Sequence, residues 1–251
     1  VVSYRDSCSD FGAIGVFTKY AKLNAILYKV TETADFISLS NIVATRTAYR
    51  LTDKMHEDHP EAIGQLSKGH AYDMATNIFD RLPQIFFDAK PTDGNDYIRI
   101  LGRTNNERAY KYVRRDYVNK VKNLDKIKLF IPKANGIGAF GEVISSPITA
   151  TPGVGSTETF LSIGILDSEY EMDAALKYIK TKFARALLGG LKTTQDITPD
   201  KWKYVPLQDF TAHSDIDWSK SVAEIDRQLY HKYDLTADEI EFIETHVKEM
   251  A

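Results

Sequence analysis

The sharpest chemical string in this sequence is Gly136-Ile-Gly138-Ala-Phe140-Gly141-Glu-Val143, whose glycine spacing fits both dinucleotide-binding and kinase glycine loops. A dinucleotide loop needs a helix directly after it, because the helix N-terminus holds the pyrophosphate. Here Val143-Ile-Ser-Ser-Pro147 follows, which will not start a helix. A kinase loop needs a strand lysine, then a His-Arg-Asp loop, then Asp-Phe-Gly. Asp10-Phe11-Gly12 lies upstream instead, and the sequence has no His-Arg-Asp. The string reads better as a glycine-rich turn that lets backbone approach something closely.

Other candidates are weaker. Asp88-Ala-Lys90 ends the apolar run Gln84–Phe87, with Asp80 upstream. Acid-x-Lys at a strand end can hold Mg²⁺ and assist a water in a nuclease, but acids and lysines also solvate many strand ends. His56 and His59 stand three apart beside Glu57 and Asp58, yet no further His or Cys lies nearby. A solvated acidic loop accounts for them better than a metal site. No Gly-x-Ser-x-Gly elbow exists, so nucleophilic catalysis has no visible constellation. Tyr110-Lys111-Tyr112-Val-Arg114-Arg115-Asp-Tyr117 interleaves aromatics with long cations, a composition suited to phosphates and base stacking. Taken alone, it serves equally well as a solvated helix face.

The elements that must position these residues show in the apolar pattern. Thr18–Thr33 predicts a helix with Leu23, Ile26, Leu27 and Val30 on one side. Phe36–Ala44, Gln84–Asp88, Tyr97–Leu101, Ile127–Ile131 and Thr159–Ile163 read as strands. Asn105–Val118 reads as a helix carrying Arg108, Lys111, Arg114 and Arg115. Residues 134–157, rich in Gly, Pro, Ser and Thr, favour turns and β structure. Ser168-Glu-Tyr-Glu171 is a capping box opening a helix that runs to Gly189-Gly190. Ser221-Val-Ala-Glu224 and Thr236-Ala-Asp-Glu239 are two more, each ahead of an apolar stripe. They predict a helical hairpin that docks on the body or on a neighbouring domain.

Composition sets the outer limits. With 251 residues, 43% hydrophobic and 27% charged, the chain is neither disordered nor collagen-like. The single cysteine, Cys8, forms no internal bridge, which points to a reducing, cytoplasmic setting. Val1-Val2-Ser3-Tyr4 reads like a strand without an initiator Met, so a piece of a larger protein is expected. The net charge of −3 argues at first against nucleic acid, but it averages unlike parts. Residues 207–251 hold eleven acids and four bases, a charge of −7, leaving +4 on residues 1–206. Arg103–Lys133 carries ten bases against three acids, or +7.

Read jointly, the strings resemble one family. They include Arg103-Thr-Asn-Asn-Glu-Arg108, Tyr112-Val-Arg114-Arg115-Asp-Tyr117 and Ile131-Pro-Lys133-Ala-Asn-Gly136 through Gly141-Glu142. Ser156-Thr-Glu158-Thr-Phe160-Leu-Ser-Ile-Gly164, Tyr178-Ile-Lys-Thr-Lys182-Phe183-Ala-Arg185 and Trp202-Lys-Tyr-Val-Pro206-Leu-Gln-Asp209-Phe210 follow in order. Asp217-Trp218-Ser-Lys-Ser221, Glu224-Ile-Asp226 and Leu229-Tyr230 close the series. Together they resemble the C-terminal target-recognition region of adenine-specific N6 DNA methyltransferases of bacterial restriction–modification systems. These are type IIG-like enzymes with a TaqI-like specificity domain. The strand–helix ending is also similar to the specificity subunits of type I systems. The resemblance covers roughly Phe36 to Met250.

The resemblance implies an α/β (α+β) fold with a mixed or mostly antiparallel twisted sheet, flanking helices and a C-terminal helical hairpin. It implies three parts: 1–35 as linker and helix from an upstream domain, 36–206 as the DNA target-recognition domain, and 207–251 as an acidic helical tail. The partners implied are double-stranded DNA and an upstream methyltransferase domain of the same polypeptide, with no membrane. S-adenosylmethionine would belong to that upstream domain. Neither an Asn-Pro-Pro-Tyr motif nor a usable glycine loop occurs here, so recognition without methylation is expected and no catalytic residue carries over. Phosphate contacts are expected from Arg103, Arg108, Lys111, Arg114, Arg115, Lys133 and Lys182. Base readout is assigned to loop residues Asn135, Ser156, Thr157 and Gln195. Two alternatives stay open: a Mg²⁺-dependent endonuclease fragment built on Asp88 and Lys90, and a protein-docking module.

Overall fold

The computed structural model describes residues 18–250. The strand expected at Val1–Tyr4, Cys8 and Asp10-Phe11-Gly12 lie outside the described residues. Helix α1 (Ala21–Thr31) buries Leu23, Ile26, Leu27 and Val30, the four residues that its spacing singles out. Of the strand expected at Phe36–Ala44, only β1 (Val43–Ala44) forms. The Ser38 hydroxyl accepts from the Ser40 amide at 3.2 Å and starts a 3-10 turn over Leu39–Ile42 instead. Three short helices follow, α2 (Asp53–Asp58), α3 (Ala62–Gln65) and α4 (Ile78–Arg81). The run Gln84–Asp88 contributes one bridge, Phe87 to Tyr112, rather than a strand.

The largest departure lies between Asn105 and Val118. Strands β2 (Tyr97–Thr104) and β3 (Glu107–Arg114) form an antiparallel hairpin there, not a helix. Asn105 and Asn106 take φ of 50° and 64°, the left-handed pair that a tight two-residue hairpin turn requires. The three- and four-residue spacing of Arg108, Lys111, Arg114 and Arg115 imitates a helix face. The period-two alternation of Arg108, Tyr110, Tyr112 and Arg114 is the pattern that folds.

The remaining strands are β4 (Ile127–Pro132), β5 (Ile148–Ala150), β6 (Val154–Ser156) and β7 (Phe160–Leu166). They make a four-stranded antiparallel sheet in the order β1-β7-β4-β5 and a three-stranded sheet β3-β2-β6, with β6 parallel to β2. Alternation in β4 and β7 splits their side chains between two cores. Leu129, Ile131, Leu161 and Ile163 join the helices, while Phe130 and Phe160 join the hairpin layer with Ile98, Ile100 and Val113. The architecture is α+β, with helices on one face of the four-stranded sheet and the hairpin layer on the other.

Ser168 caps α5 (Glu169–Lys180), but the expected helix to Gly189 breaks at Thr181. Thr181 turns extended (φ −57°, ψ 147°), and its hydroxyl accepts from the Ala184 amide at 3.1 Å to start α6 (Lys182–Gly189). Helices α7 (Val222–Lys232) and α8 (Ala237–His246) form behind complete capping boxes, as their sequences predict. Their apolar residues Ile225, Leu229, Phe242 and Ile243 share the larger core with α1, α5 and α6. Among the described residues, no helix is long and apolar enough to cross a membrane.

Candidate nucleic-acid interface

The hairpin sorts its side chains by register. Arg99 and Arg103 on β2 share a face with Arg108, Tyr110 and Tyr112 on β3, and Arg103 stands directly opposite Arg108. Flanking support stops short of the tip. β6 leaves β2 at Leu101, and the Phe87 bridge meets β3 at Tyr112. Residues 103–108 therefore extend past both neighbours. The Arg99 guanidinium lies 5.4 Å from the Tyr110 ring centre, and Tyr110 is exposed. The Arg103 guanidinium donates to the Asn106 carbonyl, which holds the side chain along the turn. Among the described residues, no carboxylate comes within ion-pair distance of Arg99, Arg103 or Arg108.

The other expected phosphate contacts are differently placed. Lys111 pairs with Asp88, and Arg115 with Asp125 and Asp96. Arg114 reaches Asp58 at 3.3 Å and also pairs with Asp116, and the Asp116 hydrogen bond pushes its pKa further up. Lys133 pairs with Asp196 at 3.2 Å, and Lys182 with Glu244 of α8. Each of these cations is already neutralised within the fold, and Lys182 serves the tail rather than an open surface. At a half-exposed position such a pair contributes little to stability, about 0–1 kcal/mol. It nonetheless leaves the cation less available to a phosphate.

Three of the four residues assigned to base readout are corrected by burial. Asn135 is 2% exposed; its amide group donates to the Pro132 carbonyl, and its Oδ1 accepts from the Ser145 amide at 2.6 Å. Ser156 and Thr157 are 1% and 0% exposed. Ser156 lies in β6 against Leu101, and Thr157 hydrogen-bonds Thr159 at 3.1 Å and the Leu101 carbonyl at 2.9 Å. None of the three can meet a base edge from there. Gln195 is exposed.

The glycine-rich turn closes on the protein itself. Ile137 and Gly138 amides donate to the Glu142 carboxylate at 2.9 and 3.0 Å, and Lys192 pairs with the same group. Burial pushes the Glu142 carboxyl up, but Lys192 and the two amides outweigh it and hold it below the usual range. The close approach expected of the glycines is real: a Cβ on Gly141 would come within 1.9 Å of the His246 carbonyl. Phe140 stacks on Phe242 at 5.7 Å, so the turn fastens the end of α8. With its amides taken by Glu142, the turn does not fit a nucleotide phosphate or S-adenosylmethionine.

Asp88 offers no better fit to Mg²⁺, since Lys111 pairs with its carboxylate and it belongs to no cluster of ligating side chains among the described residues. His56 Nε2 donates to the Ala71 carbonyl at 2.9 Å, and His59 Nδ1 meets the Glu61 carboxylate at 3.2 Å. Among the described residues, no group of three or more His, Cys, Asp or Glu side chains is placed to hold a metal.

Sequence reasoning missed Arg99 and the turn residues Asn105 and Asn106. The signal was present, as an Asn-Asn pair between two alternating Arg/Tyr runs is a hairpin pattern. No protein-family model matches the chain, and no curated protein matches it either.

Proposed function

We propose that this chain recognises double-stranded DNA, as the target-recognition part of an adenine-N6 methyltransferase of the restriction–modification class. One observation carries the reading: Arg103 faces Arg108 across the hairpin, with Arg99 on the same face, and among the described residues no carboxylate lies within ion-pair distance of the three. Like charges directly opposed on a hairpin are unfavourable unless an anion lies between them. A phosphate backbone supplies such an anion, and Tyr110 adds a partly apolar surface beside it. The motif order from Arg103 to Leu229 supports the family half of the proposal. Methyl transfer from S-adenosylmethionine would then be the work of a separate domain, and the part played by this chain would be to grip the duplex.

Titration of the 251-residue chain against a random-sequence 30-bp duplex at several salt concentrations tests this. Binding whose log K falls linearly with log salt, with a slope steeper than about −2, is expected for several phosphate contacts. Absent or salt-insensitive binding would favour the protein-docking alternative instead.

A further inference from the structure

The hairpin tip holds more than charge. Asn105 and Asn106 are exposed, and neither carboxamide has a hydrogen-bond partner among the described residues. A left-handed two-residue turn is best served by Asn followed by Gly, because glycine carries no penalty at positive φ. Asn106, at φ 64°, occupies the glycine position; its backbone carbonyl accepts from Arg103, but its carboxamide makes no hydrogen bond among the described residues that would offset that cost. A local rule broken without structural return is a mark of function.

The dimensions agree. Two strands about 4.8 Å apart, with their side chains, make a ribbon that the major groove, about 12 Å wide, admits. The unsupported arms, Arg103–Asn105 and Asn106–Arg108, reach about 10 Å at ~3.4 Å per residue, close to the groove depth of about 8.5 Å. A carboxamide at the leading edge presents a donor and an acceptor side by side, which matches N7 and the N6 amino group of adenine. Glu107 pairs with Thr104 on the opposite face of the ribbon from the arginines, so it does not neutralise them.

Resting on the DNA-recognition reading above, we propose that the 103–108 hairpin tip enters the major groove of B-form DNA and that Asn105 and Asn106 read adenine there. Arg103 and Arg108 hold the flanking phosphates and set the depth of entry. The deep, narrow major groove of A-form RNA would exclude the same ribbon.

The test is selection of the 251-residue chain on a pool of duplexes with a randomised 12-bp centre, followed by sequencing. Asn105→Gly and Asn106→Gly are the variants of choice, because glycine accepts positive φ and removes only the carboxamide. Their thermal unfolding midpoints report whether the hairpin layer survives. The wild type is expected to enrich a motif containing A·T pairs. Each variant should lose the preference at one of them, with the ratio of selected to unselected binding falling about tenfold. An unchanged motif in both variants would overturn the inference, as would equal retention of a 20-bp RNA duplex. Duplex binding without any enriched motif would overturn the readout while leaving DNA binding intact. No retention of any duplex at low salt would defeat the DNA reading itself, and this inference with it.

Discussion

The acidic tail and the hairpin tip are both strongly charged, and they dispose of that charge in opposite ways. Residues 207–251 carry −7, yet the tail spends several of its acids inside the fold. Glu239 of α8 meets Lys29 of α1 at 2.8 Å, Glu244 pairs with Lys182 of α6, and Asp238 approaches Lys22 at 3.7 Å. Asp226 is 3% exposed and accepts from the Lys182 and Phe183 amides at 3.0 and 2.9 Å, capping α6 from a neighbouring helix. The hairpin keeps Arg99, Arg103 and Arg108 without a carboxylate partner among the described residues. Net charge says nothing of this. The hairpin thus gathers three arginines on one face with no ion-pair partner among the described residues, whereas the tail places several of its acids against lysines of the body.

Asp226→Ala should break the tail side most severely. It leaves two amides of α6 unsatisfied in the interior and takes away the carboxylate that stabilises the buried Arg185. A loss of about 3 kcal/mol in urea unfolding is expected, with the midpoint falling at constant m-value. Burial pushes the Asp226 carboxyl up to about 6, against the lowering by the two amides. The folded state therefore holds that proton more tightly than the unfolded chain does. Stability from this group is full below about pH 4 and is lost as pH rises through about 6. Asp226→Asn should flatten that decline, so a variant whose stability keeps the wild-type pH profile between pH 4 and 6 would contradict the assignment.

On the hairpin side, Arg103→Ala with Arg108→Ala should cost about tenfold or more in duplex affinity. Thermal stability should hold or rise, because an opposed like-charge pair is relieved. A drop in stability without a change in affinity would place these arginines with the tail's structural charges. The smallest effect is expected from Glu239→Gln, which keeps the cap on α8 and weakens only the Lys29 contact. A loss of at most about 1 kcal/mol in chemical unfolding is expected, and DNA affinity should be unmoved.

The tail was the more legible of the two regions. Its capping boxes and apolar stripes are local signals, and the helices form where those signals stand. The spacing of α1 was equally plain. The hairpin was harder, because Arg108, Lys111, Arg114 and Arg115 satisfy a helical spacing as well as a strand. Pairing with Tyr97–Thr104 decides between them, and the Asn105-Asn106 pair between the two runs is its one local sign. Burial was the other blind spot. Asn135, Ser156 and Thr157 are polar residues in a turn-rich stretch, and polarity placed them at the surface. Their hydrogen bonds to Ser145, Leu101 and Thr159 come from segments that only the tertiary fold brings together.

The most direct measurement is the salt dependence of duplex binding in the wild type and in the Arg103→Ala, Arg108→Ala double variant. If the hairpin arginines are the open charge that meets DNA, the slope of log K against log salt should become shallower by about two in the variant. An identical slope in both proteins would contradict the account and send the search for the anion-binding surface elsewhere.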